Sequence, residues 1–348
     1  MKKLRCGVIG VSMGRGHIQG YQKHPQAEVT AIADVDAARA KTVAAEFKVP
    51  GVYTDPSEMI RKEDLDIVSV VTPNKFHKPQ TLEALAAGCH VLCEKPMAMN
   101  AAEAHDMLAA ARTAGRRIMI DFSQRFTEPS QALKREVDAG TLGDVYFGRT
   151  SWLRRRGIPR FGGWFGQKAL SGGGPLIDLG VHRLDLALWL MGYPVPRWVM
   201  ASTYNPIARE LALREGKEFD VEDLAVGLIT FDNGATLEVE ASWATNIGEQ
   251  DLMETRLCGT KGGLIHRNIR EGYQFEVELY VERNGVQYDL KPHAPVPAAT
   301  CAMGHFVDSI LKDEPHMATG EEGLTVMQLL DAIYASAAKG EPVKLDAA

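Results

Sequence analysis

The first third of the chain has a rhythm that leaves few folds open to it. Five short apolar runs, Leu4 to Ile9, Val29 to Ala33, Ile67 to Val71, His90 to Cys93 and Arg117 to Ile120, alternate with stretches of helical periodicity. Neighbouring parallel strands need long crossover connections, which helices supply, so the alternation predicts an α/β domain with a doubly wound parallel sheet. Two helix starts are written into it. Asp55-Pro56-Ser57-Glu58 and Asn100-Ala101-Ala102-Glu103 each set a capping side chain three residues ahead of a glutamate.

After about residue 123 the pattern lengthens into alternating segments such as Val145 to Leu153, Ala225 to Phe231 and Ala235 to Trp243. Asp232-Asn233-Gly234 joins the last two, and Asn284-Gly285 joins Leu279 to Glu282 with Val286 to Leu290. Asn-Gly between alternating runs is a strong hairpin signal. An α+β C-terminal domain with a large, mostly antiparallel sheet is therefore expected over residues 124–348, after a first domain over 1–123. Helices are expected near Leu176 to Met191, His305 to Leu311 and Glu321 to Ala337. The last has Thr319 and Glu322 as a capping box, and Val326, Leu330, Ile333 and Ala337 at helical spacing. It should pack back onto the body, the first domain being one candidate surface.

With 348 residues, 45% of them hydrophobic and 24% charged, the chain is long enough for two cored domains and too apolar for disorder. A net charge of −6 with no long basic run argues against nucleic acid, whose phosphates require clustered Lys and Arg. No apolar run approaches the roughly 18 residues of a membrane span, so no membrane role is expected. The five cysteines, Cys6, Cys89, Cys93, Cys258 and Cys301, are odd in number and lack paired spacing, which points to free thiols in the cytoplasm. Strand alternation scatters Cys89, His90 and Cys93 to opposite faces, so no metal site is expected there.

Gly7-Val8-Ile9-Gly10-Val11-Ser12-Met13-Gly14-Arg15-Gly16 closes the first strand and should open a helix. A glycine-rich turn at that place lets the backbone approach a pyrophosphate held at a helix N-terminus. Gly10, Ser12, Met13 and Gly14 are the expected contacts; Ser12 stands where the usual fingerprint has glycine, and the third glycine is either Gly14 or Gly16. Asp34 ends the second strand 24 residues after Gly10 (34 − 10), near the spacing of a carboxylate that binds the adenosine ribose hydroxyls and repels a 2′-phosphate. NAD is thus favoured over NADP, with Arg39 placed to moderate the preference. A plain helix cap is the competing reading of Asp34. Thr72, Pro73, Asn74 and His77 follow a strand at the edge where open α/β sheets bind ligands, and should border the cofactor.

Glu94-Lys95-Pro96 sets two charges at the end of another strand, either facing a cleft or forming a solvated pair. Farther on, Gly172, Gly173, Gly174 and Pro175 introduce Leu176-Ile177-Asp178-Leu179-Gly180-Val181-His182-Arg183-Leu184-Asp185. On a helix, residues 178, 182 and 185 share one face, opposite the apolar stripe of Ile177, Val181, Leu184, Leu188 and Met191. That polar face either lines a cavity or meets solvent.

The glycine turn, Thr72-Pro73-Asn74 with His77, Glu94-Lys95-Pro96, Asp178-Leu179-Gly180-Val181-His182 and the tail Leu329 to Ser336 together resemble the Gfo/Idh/MocA family, the glucose-fructose oxidoreductase and inositol dehydrogenase group. The likeness spans nearly the whole chain and departs at Ser12 and the shifted glycines. It implies a Rossmann fold for the first domain and an NAD(P)-dependent oxidoreductase acting on a ring hydroxyl of a sugar, inositol or related polyol. It also implies roles: His182 as the base for the hydroxyl proton, Lys95 as donor to the reacting oxygen, and Asp178 as the group that orients substrate or tunes the other two. Glu94 then lies at the nicotinamide ribose, and the Lys95-Pro96 bond is cis. Pairing through the exposed face of the second sheet, as a homodimer or homotetramer, follows from the same likeness. Two rival functions are an NAD-dependent glycoside hydrolase or epimerase-like enzyme that recycles its cofactor, and a non-catalytic nucleotide-binding regulator.

Arg149, Arg154, Arg155, Arg156 and Arg160 cluster ahead of Trp164. Arg155 is a candidate for binding a substrate carboxylate or phosphate, Trp164 for covering a sugar or nicotinamide face, and Arg125, at the crossing between domains, for the cofactor. A charged strand edge that resists aggregation is the competing account of the arginines.

Overall fold

Strand and helix alternate from Leu4 to Asp121 in the computed structural model, which describes residues 3–292 and 301–345. The elements are β1 (Leu4–Ile9), α1 (Arg15–Gln22), β2 (Ala27–Ala33), α2 (Ala37–Phe47), β3 (Gly51–Tyr53), α3 (Pro56–Lys62), β4 (Ile67–Val70), α4 (His77–Ala86), β5 (His90–Glu94), α5 (Ala101–Ala114) and β6 (Ile118–Asp121). Their strands form one parallel sheet in the order β3-β2-β1-β4-β5-β6. Its central strands are buried, all four residues of β4 included, because crossover helices cover both faces. The chain reverses direction across the sheet between β1 and β4, and such a switch point opens a crevice at the carboxyl ends of the strands.

Asp55 accepts from the Ser57 N–H and Asn100 from the Glu103 N–H, each at the start of its helix as expected. Strand β3 was not anticipated; three residues are too few to display a period of two.

By its contacts the chain divides into two compact units, Met1–Ser123 with Thr300–Met327, and Gln124–Ala299 with Gln328–Ala348. The second holds α6 (Glu128–Asp138), β7 (Val145–Arg154), α7 (Lys168–Ser171), α8 (Val181–Met191), β8 (Pro196–Tyr204), α9 (Pro206–Arg214), β9 (Leu224–Phe231), β10 (Thr236–Ser242), β11 (Asp251–Gly259), β12 (Gly262–Asn268), β13 (Phe275–Arg283) and β14 (Val286–Leu290). The chain then forms α10 (Ala302–Lys312) and the start of α11 (Gly320–Lys339) in the first unit. There Thr319 and Glu322 cap α11 reciprocally, and the Ile120 N–H donates to Ala318 O over 2.9 Å. The later turns of α11 and β15 (Val343–Lys344) belong to the second unit.

The second sheet runs β14-β13-β12-β11-β7-β10-β9-β8-β15, antiparallel throughout except where β10 meets β7. Both Asn-Gly hairpins form: Asn284 and Gly285 have φ of 53° and 76°, as a two-residue turn between right-twisted strands requires. Leu237, Val239 and Ala241 of β10 face the core, with Glu238 and Glu240 on the opposite face.

The helix expected from Leu176 to Met191 differs at its start. Leu176–Gly180 winds as a π-turn, and the α-helix begins at Val181. The glycines explain how closely this turn is held: a Cβ on Gly173 would lie 2.0 Å from Tyr334 Oη, and one on Gly174 2.2 Å from Glu222 O. The segment Tyr204 to Phe219 contains α9, entered through Pro206 in its first turn.

Candidate active site

In the first unit, β1 ends in a turn that only glycine fits. Gly10 has φ of 86°, and a Cβ there would meet Val71 O at 2.2 Å; a Cβ on Gly14 would meet Gly10 O at 2.5 Å. Gly16 has open space around it, so Gly14 is the third glycine of the turn. No side chain caps α1, and Ser12 and Met13 are exposed on the turn, Met13 by 67%. Asp34 is buried at the end of β2, where its Oδ2 accepts from the Val11 N–H at 3.0 Å and its Oδ1 from the Asp36 N–H at 2.9 Å. Arg39 adds a two-point ion pair at 3.0 and 3.1 Å. Burial works against ionisation of Asp34, but Arg39 and the two N–H groups outweigh it and hold the carboxyl below its ordinary range. The helix cap is a different residue, Asp36. An uncapped helix start behind a Cβ-free turn, with a fixed carboxylate on the next strand, fits a dinucleotide.

At the other side of the switch point, His77 ties two loops together. Its Nδ1 lies 2.8 Å from Pro96 O and its Nε2 2.8 Å from Thr72 O. Thr72 donates to Gln80 Oε1 at 2.7 Å, Pro73 precedes a short turn, and Asn74 is buried. The Lys95-Pro96 bond is cis. Glu94 and Lys95 are both half-buried at the end of β5. Glu94 Oε1 lies 3.0 Å from His17 Nε2, and Asp121 Oδ2, at the end of β6, lies 3.3 Å from the same nitrogen. The ring nitrogen and one oxygen of each carboxylate all fall within 4.8 Å of one another. His17 and Asp121 were not singled out in the sequence, although His17 follows Gly14 by three residues on the buried face of α1.

In the second unit, Asp178 lies in the π-turn and His182 in the first turn of α8, both half-buried. Asp178 Oδ2 accepts from Trp243 Nε1 at 3.1 Å. The His182 ring packs against Trp152 with centroids 5.6 Å apart. Trp152, Trp243, Phe165 and Phe219 belong to one aromatic cluster beside them. Glu222 holds the turn from behind: it accepts from the Gly174 and Leu176 N–H groups at 2.9 and 3.1 Å and from Tyr334 Oη at 2.9 Å. The sequence assigned no role to Glu222 or Trp243, and Tyr334 entered only within the tail Leu329 to Ser336.

Asp185 does not join the polar face formed by 178 and 182. It is buried and pairs with Arg125, Nε to Oδ2 at 2.9 Å, while Tyr193 also contacts both. Arg125 is thus fully buried within the second unit. Of the arginine cluster, Arg149 pairs with Glu240, Arg154 with Asp251, and Arg156 with Asn246; Arg149, Arg155 and Arg156 are all exposed. Trp164 is half-buried and stacks on Phe165 with centroids 3.9 Å apart.

Residues 4–122 match the model of an oxidoreductase family with an NAD-binding Rossmann fold, and residues 130–265 match the GFO/IDH/MocA C-terminal domain. The chain belongs to the Gfo/Idh/MocA family. This family member is 35% identical to D-glucoside 3-dehydrogenase of Escherichia coli (strain K12), over 98% of its own length and 97% of the relative's. It is similar in structure to an aldose-aldose oxidoreductase from Caulobacter crescentus complexed with glycerol, with a TM-score of 0.84, 27% identity and coverage of 99% and 100%. GenD2 from gentamicin A biosynthesis, in complex with NAD, gives a TM-score of 0.82 at 27% identity, covering 100% of this chain and 97% of that one. The protein is accordingly an NAD-binding oxidoreductase, with a Rossmann sheet followed by a large mixed sheet.

Proposed function

We propose that this family member oxidises a ring hydroxyl of a sugar or related polyol, with NAD in preference to NADP. One observation carries the reading: Asp178 and His182 are set beside an aromatic cluster in a chain that aligns end to end with a glucoside dehydrogenase. Aromatic faces suit the apolar faces of sugar rings, and the acid-histidine pair suits a hydroxyl proton.

Gly10, Ser12, Met13 and Gly14 hold the pyrophosphate, Asp34 the adenosine ribose, and Thr72, Pro73, Asn74, His77 and Glu94 the nicotinamide end. The nicotinamide supplies the hydride acceptor when NAD is bound. His182 takes the hydroxyl proton, Lys95 hydrogen-bonds the reacting oxygen as charge develops, and Asp178 orients the substrate. Arg155 and Trp164 extend the substrate and cofactor contacts. Arg125 supports them from within the second unit through Asp185.

The second sheet leaves Trp198, Met200, Tyr204 and Leu228 exposed, and Met200 and Leu228 are register partners. This apolar stripe supports pairing of two copies into a homodimer or homotetramer. All five cysteines are free, which supports a cytoplasmic location, and no helix among the described residues is long and apolar enough to cross a membrane.

The test is nicotinamide reduction across a panel of glucosides, aldoses, inositols and sugar acids with NAD or NADP. Accumulating NADH with a sugar supports the reading. Turnover of substrate with no net NADH points instead to the recycling hydrolase or epimerase.

A further inference from the structure

Glu94 and Asp121 end adjacent parallel strands as register partners, so two carboxylates leave the sheet side by side. Asp121 is 5% exposed, and its Oδ1 has no hydrogen-bond partner among the described residues. Like charges so placed repel unless something stands between them. His17 does: its Nε2 reaches both carboxylates, and its Nδ1 lies 3.1 Å from Ser69 Oγ, itself 2.8 Å from Tyr21 Oη. The ring is fixed at both ends.

We propose that His17 is a positioning residue of the cofactor site, holding the proton that lets Glu94 and Asp121 stand together and so setting the charge at the nicotinamide end. The inference rests on the cofactor reading above, in which Asp34 marks the adenosine side of the switch point and β5 and β6 the nicotinamide side.

Burial alone would pull the His17 imidazole down, yet its bonds to Asp121 and Glu94 win and raise it to about 9. Glu94 is held below the ordinary carboxylate range against its burial, chiefly by His17, while burial raises Asp121. The other titratable groups facing this cluster are Cys93 and Lys95 at the end of β5, Cys6 on β1, Tyr21 on α1, His77 on α4 and Cys301 before α10. Burial pushes the Cys6 and Cys93 thiols and the Tyr21 hydroxyl up and the His77 imidazole down. Cys301 is exposed, and the measurement is made in a Cys301→Ser background.

The test is equilibrium binding of NAD+ and NADH by calorimetry in that background, from neutral pH to about pH 10. The oxidised nicotinamide is cationic and the reduced ring neutral. Loss of the His17 proton should therefore shift the NAD+ to NADH affinity ratio toward NAD+, by on the order of tenfold, as pH rises through about 9. His17→Gln keeps an amide donor and cannot titrate, so it should lose that step. Histidine-selective NMR of the unsubstituted His17 protein gives the same answer without depending on the variant's folding: its imidazole should stay protonated well above its ordinary value of 6.5. A ratio flat with pH, an imidazole titrating near 6.5, or a stoichiometric metal lost with His17→Gln overturns the proposal. Failure to oxidise any sugar counts against the proposed function alone.

Discussion

Trp243 donates its indole N–H to Asp178 Oδ2 across 3.1 Å, tying the end of β10 to the π-turn before α8. The bond fixes one oxygen of the carboxylate that would orient substrate. Trp243 is itself wholly buried, with the rings of Phe165 and Phe219 edge-on at 6.3 and 6.2 Å.

Trp243→Phe keeps an aromatic ring and removes the donor. A hydrogen bond to a charged group is worth about 1.5–3 kcal/mol, so kcat/KM should fall at least about tenfold. The protein should still unfold cooperatively, as a thermal scan alongside the kinetics will show. Unchanged kcat/KM would remove Asp178 orientation from the role of Trp243.

Asp34→Ala takes away the acceptor of the Val11 N–H and releases Arg39. NAD affinity should drop by about tenfold or more, as expected for a lost charge-assisted contact. Affinity for NADP should fall much less or rise, because a freed guanidinium suits a 2′-phosphate. Calorimetry with both nucleotides checks this, and an equal loss for the two would contradict the assignment of Asp34 to the ribose.

Glu222 satisfies two backbone N–H groups and the Tyr334 hydroxyl at the mouth of the π-turn. Each buried group left without a partner costs about 1–3 kcal/mol. Glu222→Ala should therefore destabilise by at least about 3 kcal/mol in urea unfolding. Glu222→Gln retains one acceptor and should lose less. Equal losses would mean that neither the retained volume nor a single acceptor holds the turn, and that both carboxylate oxygens are required.

What the sequence made legible was local. Caps at Asp55, Asn100 and Thr319, both Asn-Gly turns and the strand-helix alternation all depend on residues within a few positions of one another. The glycine turn was recognisable, but choosing Gly14 over Gly16 required knowing that the Gly14 backbone sits against Gly10 O. What stayed hidden joins distant parts of the chain. His17 meets Glu94 and Asp121 from 77 and 104 residues away (94 − 17, 121 − 17), and Tyr334 meets Glu222 from 112. The π-turn was hidden for a related reason: Leu176 to Met191 has helical periodicity throughout, and only the packing of Gly173 and Gly174 against Tyr334 and Glu222 shows how closely its entry is held. Asp185 looked like a partner of His182 by spacing, yet its ion pair with Arg125 draws it into the core.

His90 contributes to the expected acid sensitivity of the first unit. Burial, then the charges of Arg116 and Arg117, lower it from 6.5 to about 4, while its Nδ1 accepts from the Arg117 N–H at 3.0 Å. A histidine depressed in the folded state takes up its proton more readily when unfolded. Its contribution to stability is therefore intact above 6.5 and lost as pH falls toward about 4. Allowing for its partial exposure, that loss is on the order of 2 kcal/mol. Urea midpoints against pH should show the decline, and His90→Asn, which keeps an acceptor, should flatten it. A parallel decline in the variant would place the sensitivity elsewhere.

Lys95→Ala puts the dehydrogenase chemistry to the most direct test. Lys95 stands at the end of β5, half-buried before the cis Pro96, and is assigned to the reacting oxygen rather than to holding the dinucleotide. NAD affinity and NADH production on the best sugar of the panel are to be measured on one preparation of each protein. The expected result is NAD affinity within about threefold of wild type with turnover reduced by about a thousandfold or more, the scale on which removal of a single transition-state donor acts. Turnover near the wild-type rate with NAD still bound would contradict hydride transfer assisted by Lys95.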